Sequence, residues 1–215
     1  MIILFQGDSI TDCGRSREHD KNTGIGYPTM VRGTLGFEEP GEHTFHNRGI
    51  SGNRIVDIYA RMKADILNLK PDLMSLLIGV NDVWHEFHEN PNGVDADKFY
   101  KVYCMLIEEI REALPNIKLM ILEPYALPGS ATEGTLEDGA DKYTVFRKDT
   151  EDKAAACRRV AEKFNIPFVP LQAKLDAMAN AYGTESVSGD GVHPNVTGHL
   201  LIARAWMEAF EKNYL

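Results

Sequence analysis

Apolar residues follow two rhythms along this chain. Short apolar runs recur at 2–6 (IILFQ), 44–48 (TFHNR), 73–78 (LMSLLI), 117–122 (IKLMIL) and 166–169 (IPFV), and each predicts a strand. The first, third and fourth are almost unbroken, as expected of strands covered on both faces. Between them apolar residues fall at helical spacing. The clearest such stretch is 97–113, where Phe99, Val102, Tyr103, Leu106, Ile107 and Ile110 share a face, with Leu114 just beyond. Asp95 and Asp97 stand at its start, where the helix dipole favours negative charge. Further helices are predicted near 26–35, 54–69, 146–164 and 195–212. The last two carry apolar stripes at Cys157, Val160, Ala161 and Phe164, and at Val196, Leu200, Ala203 and Phe210.

Strands alternating with helices predict an α/β protein with a parallel sheet between helical layers. At 215 residues, with no break in composition and no internal repeat, the chain reads as a single domain, 1–215. The segment 125–144 (YALPGSATEGTLEDGADKYT) is acidic, glycine-rich and long for a connection, which predicts a flap or insertion over a site. Such a flap could be ordered by a second copy, so a homo-oligomer is compatible with the sequence.

Composition narrows the partners. A formal charge of −9 disfavours nucleic acid and anionic membrane surfaces, which need clustered Lys and Arg. No apolar run approaches the ~20 residues of a membrane helix. The opening MIILFQGDS has no basic region of the kind that starts a signal peptide, and with three cysteines lacking a C-x-x-C pair it points to a reducing, cytoplasmic location. Cys13 reads as a small packed thiol.

Chemistry gathers where the strands end. In open parallel sheets ligands bind outside the carboxyl ends of the strands. There the sequence places Gly7, Asp8 and Ser9 after the first strand, GISGNR (49–54) after the second, GVNDVW (79–84) after the third and EPY (123–125) after the fourth. SGDGVHP (188–194) follows the fifth strand and an intervening helix. Each stretch alone is more often a turn or cap than a site. Together they supply the parts of acyl transfer. A serine hydroxyl needs an imidazole to take its proton, and the imidazole needs a carboxylate to hold its tautomer, roles that fit Ser9, His193 and Asp190. The backbone N–H groups of Ser9 and Gly52 and the amide of Asn81 are candidate donors to the oxyanion.

At these residues the sequence resembles the SGNH hydrolases, also called GDSL esterases. The carrying blocks are GDSIT with Ser9, GISGN with Gly52, GVNDVW with Asn81, and DGVHP with Asp190 and His193. The resemblance implies a flavodoxin-like three-layer α/β/α sandwich with a five-stranded parallel sheet. It also implies a cofactor-free serine esterase with Ser9, Gly52 and Asn81 as oxyanion hole. The chain has no G-x-S-x-G, so the nucleophile elbow of the α/β-hydrolases is absent. Within the superfamily, GDSITDCGR, GIGYP, NRGISGN, LIGVNDVW and DGVHPNVTGHLLIARAW look closest to acetylxylan esterases. The expected substrate is therefore a small acyl ester, above all an acetylated xylo-oligosaccharide, with a lysophospholipid or thioester as the alternative.

Secondary candidates flank the matched blocks. Trp84 could wall the acyl pocket, stack on a sugar or simply pack, Tyr27 and Arg54 could touch substrate but read first as structural, Tyr125 could line a pocket, and Asp8 could orient the turn at Ser9 or reach substrate. A metal site is the chemical rival, with His85, Glu86, His88 and Glu89 in WHEFHEN, but its spacing is one residue short of H-E-x-x-H. We expect no metal. A non-catalytic binding protein would require a broken catalytic element, and all are present.

Overall fold

The structure is a computed structural model describing residues 1–215. Five parallel strands form one sheet: β1 (Ile2–Gly7), β2 (Thr44–Asn47), β3 (Leu73–Leu77), β4 (Lys118–Leu122) and β5 (Phe168–Val169). Their order is β2-β1-β3-β4-β5. The chain thus leaves β1 toward one edge and returns on its other side, so the switch point lies between β1 and β3. Gly7 pairs with Leu77, and Leu77 with Leu122, which brings three carboxyl ends into one row.

The side-chain alternation of the strands builds two cores. Ile3, Phe5, Leu73, Leu77, Met120 and Leu122 face one layer, where α2 (Tyr27–Glu38), α7 (Gln172–Tyr182) and α8 (Val196–Tyr214) pack. Leu4, Met74, Leu76, Leu119 and Ile121 face the other, covered by α3 (Ile55–Ala60), α5 (Ala96–Ala113) and most of α6 (Lys142–Phe164). This is the three-layer sandwich expected. Two very short helices complete the edge: α1 (Ser9–Asp12) and α4 (Val80–Trp84).

Caps set two of the helix starts. Asp95 accepts from the N–H of Lys98 at 2.8 Å to begin α5, and Asp141 accepts from that of Thr144 at 2.8 Å, starting α6 four residues before its apolar stripe suggests. The predicted helix 54–69 is instead α3 followed by a wider π turn, Lys63–Leu67. The i, i+4, i+8 spacing of Ile58, Met62 and Ile66 drifts around a regular helix, and the wider turn brings Ile66 back to the core.

The predicted α8 stripe holds at Ala203 and Phe210 and is corrected at Val196 and Leu200. Val196 is 74% exposed and Leu200 42% exposed, whereas His199, Ile202, Trp206 and Phe210 are buried. His199 can occupy the inner face because its Nδ1 accepts from the backbone N–H of Tyr27 at 3.2 Å, leaving little unsatisfied polarity. Segment 125–144 begins as buried chain at Tyr125, Ala126 and Leu127, then turns back through a bridge between Thr135 and Asp141. Its backbone joins the loop of Asp190: the N–H of Leu127 donates to the carbonyl of Gly191 at 2.8 Å, and that of Ala131 to the carbonyl of Asp190 at 3.0 Å.

Candidate active site

The first strand ends on Gly7 because nothing larger fits. A Cβ there would lie 2.4 Å from the carbonyl oxygen of Leu77 and from Oγ1 of Thr11. Asp8 then caps α1, its Oδ1 accepting from the N–H of Ile10 at 3.0 Å. Ser9 becomes the first residue of α1, where no preceding helical carbonyl reaches its N–H.

His193 and Asp190 come from the loop before α8. Oγ of Ser9 lies 2.9 Å from Nε2 of His193, and Nδ1 of His193 lies 2.6 Å from Oδ2 of Asp190. With Nδ1–H donating to the carboxylate, Nε2 is left bare to accept from the serine hydroxyl. The other oxygen of Asp190 accepts from the N–H of Val192 at 2.9 Å and of His193 at 2.7 Å. Burial pushes the Asp190 carboxyl up, but the hydrogen bonds from His193 and these two N–H groups outweigh it, holding the group below the usual carboxylate range.

Two further elements face this row. Gly52 has φ of +81°, a left-handed conformation suited to glycine, and its N–H has no acceptor within the protein. Asn81 sits in the first turn of α4, and its Nδ2 donates to the carbonyl of Asn53 at 3.2 Å. The residues that would form a serine–histidine–aspartate relay and its three donors are thus brought to one edge of the sheet.

The secondary candidates separate. The ring of Trp84 lies 5.7 Å from that of His193, centroid to centroid, and is partly exposed at the site. Arg54 is turned to Asp57, with Nε 2.9 Å from Oδ2, bracing the start of α3. Tyr27, Tyr125 and Asp8 are corrected as substrate contacts, because they are 0%, 0% and 1% exposed. The hydroxyl of Tyr27 lies 3.1 Å from Oγ1 of Thr11, and that of Tyr125 donates to the carbonyl of Val192 at 3.0 Å. Burial, only partly opposed by the N–H of Ile10 and the nearness of His193, pushes the Asp8 carboxyl up to about 7.

Sequence reasoning passed over two buried or braced charges here. Both oxygens of Asp82 approach the N–H of Ile55, at 3.0 and 3.2 Å, locking α3 to α4. Arg61 donates from Nε to Oδ1 of Asn53 at 2.7 Å and from Nη2 to Oε1 of Gln6 at 2.8 Å. The adjacent Asn81-Asp82 pair was the only signal for the first, and helical spacing carried none for the second. His85 and His88 stack at 5.1 Å, and nowhere does the chain assemble three or more side chains placed to hold a metal ion.

Comparison with known proteins places this arrangement in a class. The GDSL-like lipase/acylhydrolase family matches residues 5–201, and the chain belongs to that family. Its fold is that of the SGNH hydrolases, and it is a carboxylic ester hydrolase. Among its relatives is an acetylxylan esterase of Geobacillus stearothermophilus, 31% identical over 214 residues that cover 95% of this chain and 91% of the relative. The crystal structure of Axe2, an acetylxylan esterase from the same organism, matches with a TM-score of 0.82 and 30% identity over 97% of this chain and 93% of that one. A GDSL-like lipase candidate from Parabacteroides merdae matches with a TM-score of 0.86 and 34% identity, covering 98% and 95% of the two chains.

Proposed function

We propose that this esterase removes acetyl groups from carbohydrates such as xylo-oligosaccharides, with Ser9 as nucleophile. The observation that carries the mechanism is the unbroken chain from Ser9 Oγ through the imidazole of His193 to Asp190. As Oγ attacks the acyl carbonyl carbon, its proton passes to Nε2 of His193, and Asp190 stabilises the resulting imidazolium. The carbonyl oxygen becomes an oxyanion among the N–H groups of Ser9 and Gly52 and the amide of Asn81. Collapse expels the alcohol, which takes the proton from His193 and leaves an acyl-serine. Water, giving its proton to the same imidazole, repeats the sequence and releases acetate.

The substrate class rests on likeness to the acetylxylan esterase across nearly the whole chain. The placement of segment 125–144 supports it, since its apolar start, Tyr125, Ala126 and Leu127, is spent in the core and its outer part is acidic. A long acyl chain wants an apolar groove, whereas an acetyl group does not. The test is acetate release from acetylated xylo-oligosaccharides beside fatty-acid release from a lysophospholipid and thiol release from an acyl thioester. Preference for the first supports the reading. Preference for either of the others overturns the carbohydrate assignment.

A further inference from the structure

Asp12, the last residue of α1, is only 5% exposed. Its Oδ2 accepts from Nη2 of Arg17 at 2.6 Å, from the N–H of Ser51 at 3.1 Å and from the hydroxyl of Ser51 at 3.2 Å. Ser51 directly precedes Gly52. One carboxylate therefore ties the short helix that begins at Ser9 to the residue before the oxyanion glycine.

Neighbouring bonds stiffen the same joint. Arg17 also donates from Nη1 to the carbonyl of Gly49 at 3.1 Å, which accepts as well from Nε of Arg15 at 2.7 Å. The amide of Asn47 donates to the carbonyl of Thr11 at 2.6 Å, and its oxygen accepts from the N–H of Gly49 at 2.9 Å. Arg61 holds Asn53 from the far side. Gly52 is thus bracketed by fixed residues while its own N–H remains unengaged. A buried carboxylate persists where its charge is met by hydrogen bonds, and all the partners of Asp12 belong to this joint.

We propose that Asp12 is a positioning residue of the oxyanion hole, holding the Gly52 N–H at the distance from Ser9 that the tetrahedral oxyanion requires. The proposal rests on the roles given to Ser9 and Gly52 above. Asp12 touches no reacting atom. It acts through Ser51, and Arg17 fixes its carboxylate.

The test compares Asp12→Asn, which keeps an acceptor for Ser51 but loses the charge that holds Arg17, with Asp12→Ala, which keeps neither. Since a displacement of about 1 Å can cost on the order of 10²-fold, kcat on an aryl acetate should fall about 10-fold in Asp12→Asn and about 10²-fold in Asp12→Ala. KM should stay within about twofold, because a donor realised only in the transition state acts on kcat. Affinity for phenylboronic acid should fall by the same factor as kcat. That probe reports the oxyanion hole because Oγ of Ser9 adds to boron, its proton passing to His193, to give a tetrahedral anion.

Wild-type kcat in Asp12→Ala overturns the proposal, as does a loss of kcat without a matching loss of boronate affinity. Should Asp12→Ala fail to fold, Arg17→Gln serves in its place, since half of that side chain is exposed. A matched loss of kcat and boronate affinity there supports the proposal, and wild-type behaviour overturns it. Ser9→Ala is measured alongside. Activity retained by Ser9→Ala overturns the nucleophile and with it this proposal, whereas an inactive Ser9→Ala beside a fully active Asp12→Ala overturns the positioning role alone.

Discussion

Ser9 and His193, 184 residues apart in the chain, meet at 2.9 Å between Oγ and Nε2. Parallel pairing of β1 with β3 and the docking of the 188–194 loop on Tyr125 and Leu127 bring them together. Replacing either residue by Ala should lower kcat by about three orders of magnitude or more. Both lie at the sheet edge, outside either apolar core, so the urea midpoint of each variant should stay near the wild-type value. Parallel measurement of kcat and urea unfolding checks both halves of this statement.

Asp8 should make the fold less stable as pH rises. Its carboxyl is raised from 3.8 to about 7, so between these values the folded state binds a proton that the unfolded chain has lost. The unfolding free energy therefore falls through this window, and Asp8→Asn, which keeps the cap on Ile10, should remove a penalty of order 4 kcal/mol at pH 8. His199, lowered by burial from 6.5 to about 4, acts in the opposite sense, since the unfolded chain binds the extra proton between those values. The informative quantity is the difference between variant and wild type from pH 4 to 8. A constant difference contradicts the assignment.

Trp84 packs against His193 on one side and against Phe146, at 6.3 Å between centroids, on the other. If it walls the acyl pocket, Trp84→Ala should raise the ratio of butyryl to acetyl ester hydrolysis by about 10-fold, the scale of small changes in pocket volume. An unchanged ratio would make it a packing residue only.

Gly129 lies against the 188–194 loop: a Cβ there would stand 2.4 Å from the backbone carbon of Asp190 and the nitrogen of Gly191. Gly129→Ala should displace this loop, destabilising the fold by about 1–3 kcal/mol and lowering kcat more than KM. A variant with normal kcat would show that 125–144 does not brace Asp190 and His193.

All five strands were legible in the sequence, three of them because strands buried on both faces are written as almost unbroken apolar runs. The edge strand TFHNR, only partly apolar, carried the weakest of these signals. What sequence could not show was short or tertiary. α1 and α4, at four and five residues, contain too little chain to display a helical period. The first turns of α8 were misread because residue type alone puts Val196 and Leu200 inside, while His199, bonded to the N–H of Tyr27, takes the inner face with Ala203 and Phe210. Within the site, Ser9, Gly52, Asn81, Asp190 and His193 were visible as motifs after strands. Asp12, Arg17 and Arg61 were not, because a carboxylate or guanidinium that braces a loop looks like any surface charge until its partners are placed.

The most direct measurement is covalent. The protein should be treated with a fluorophosphonate ester, its remaining esterase activity followed, and the adduct located by peptide mass spectrometry, with His193→Ala in parallel. One adduct, on Ser9, should accumulate in step with the loss of activity and form far more slowly in His193→Ala. Activity that survives complete modification of Ser9, or inactivation by an adduct on another residue, would rule out Ser9 as the nucleophile.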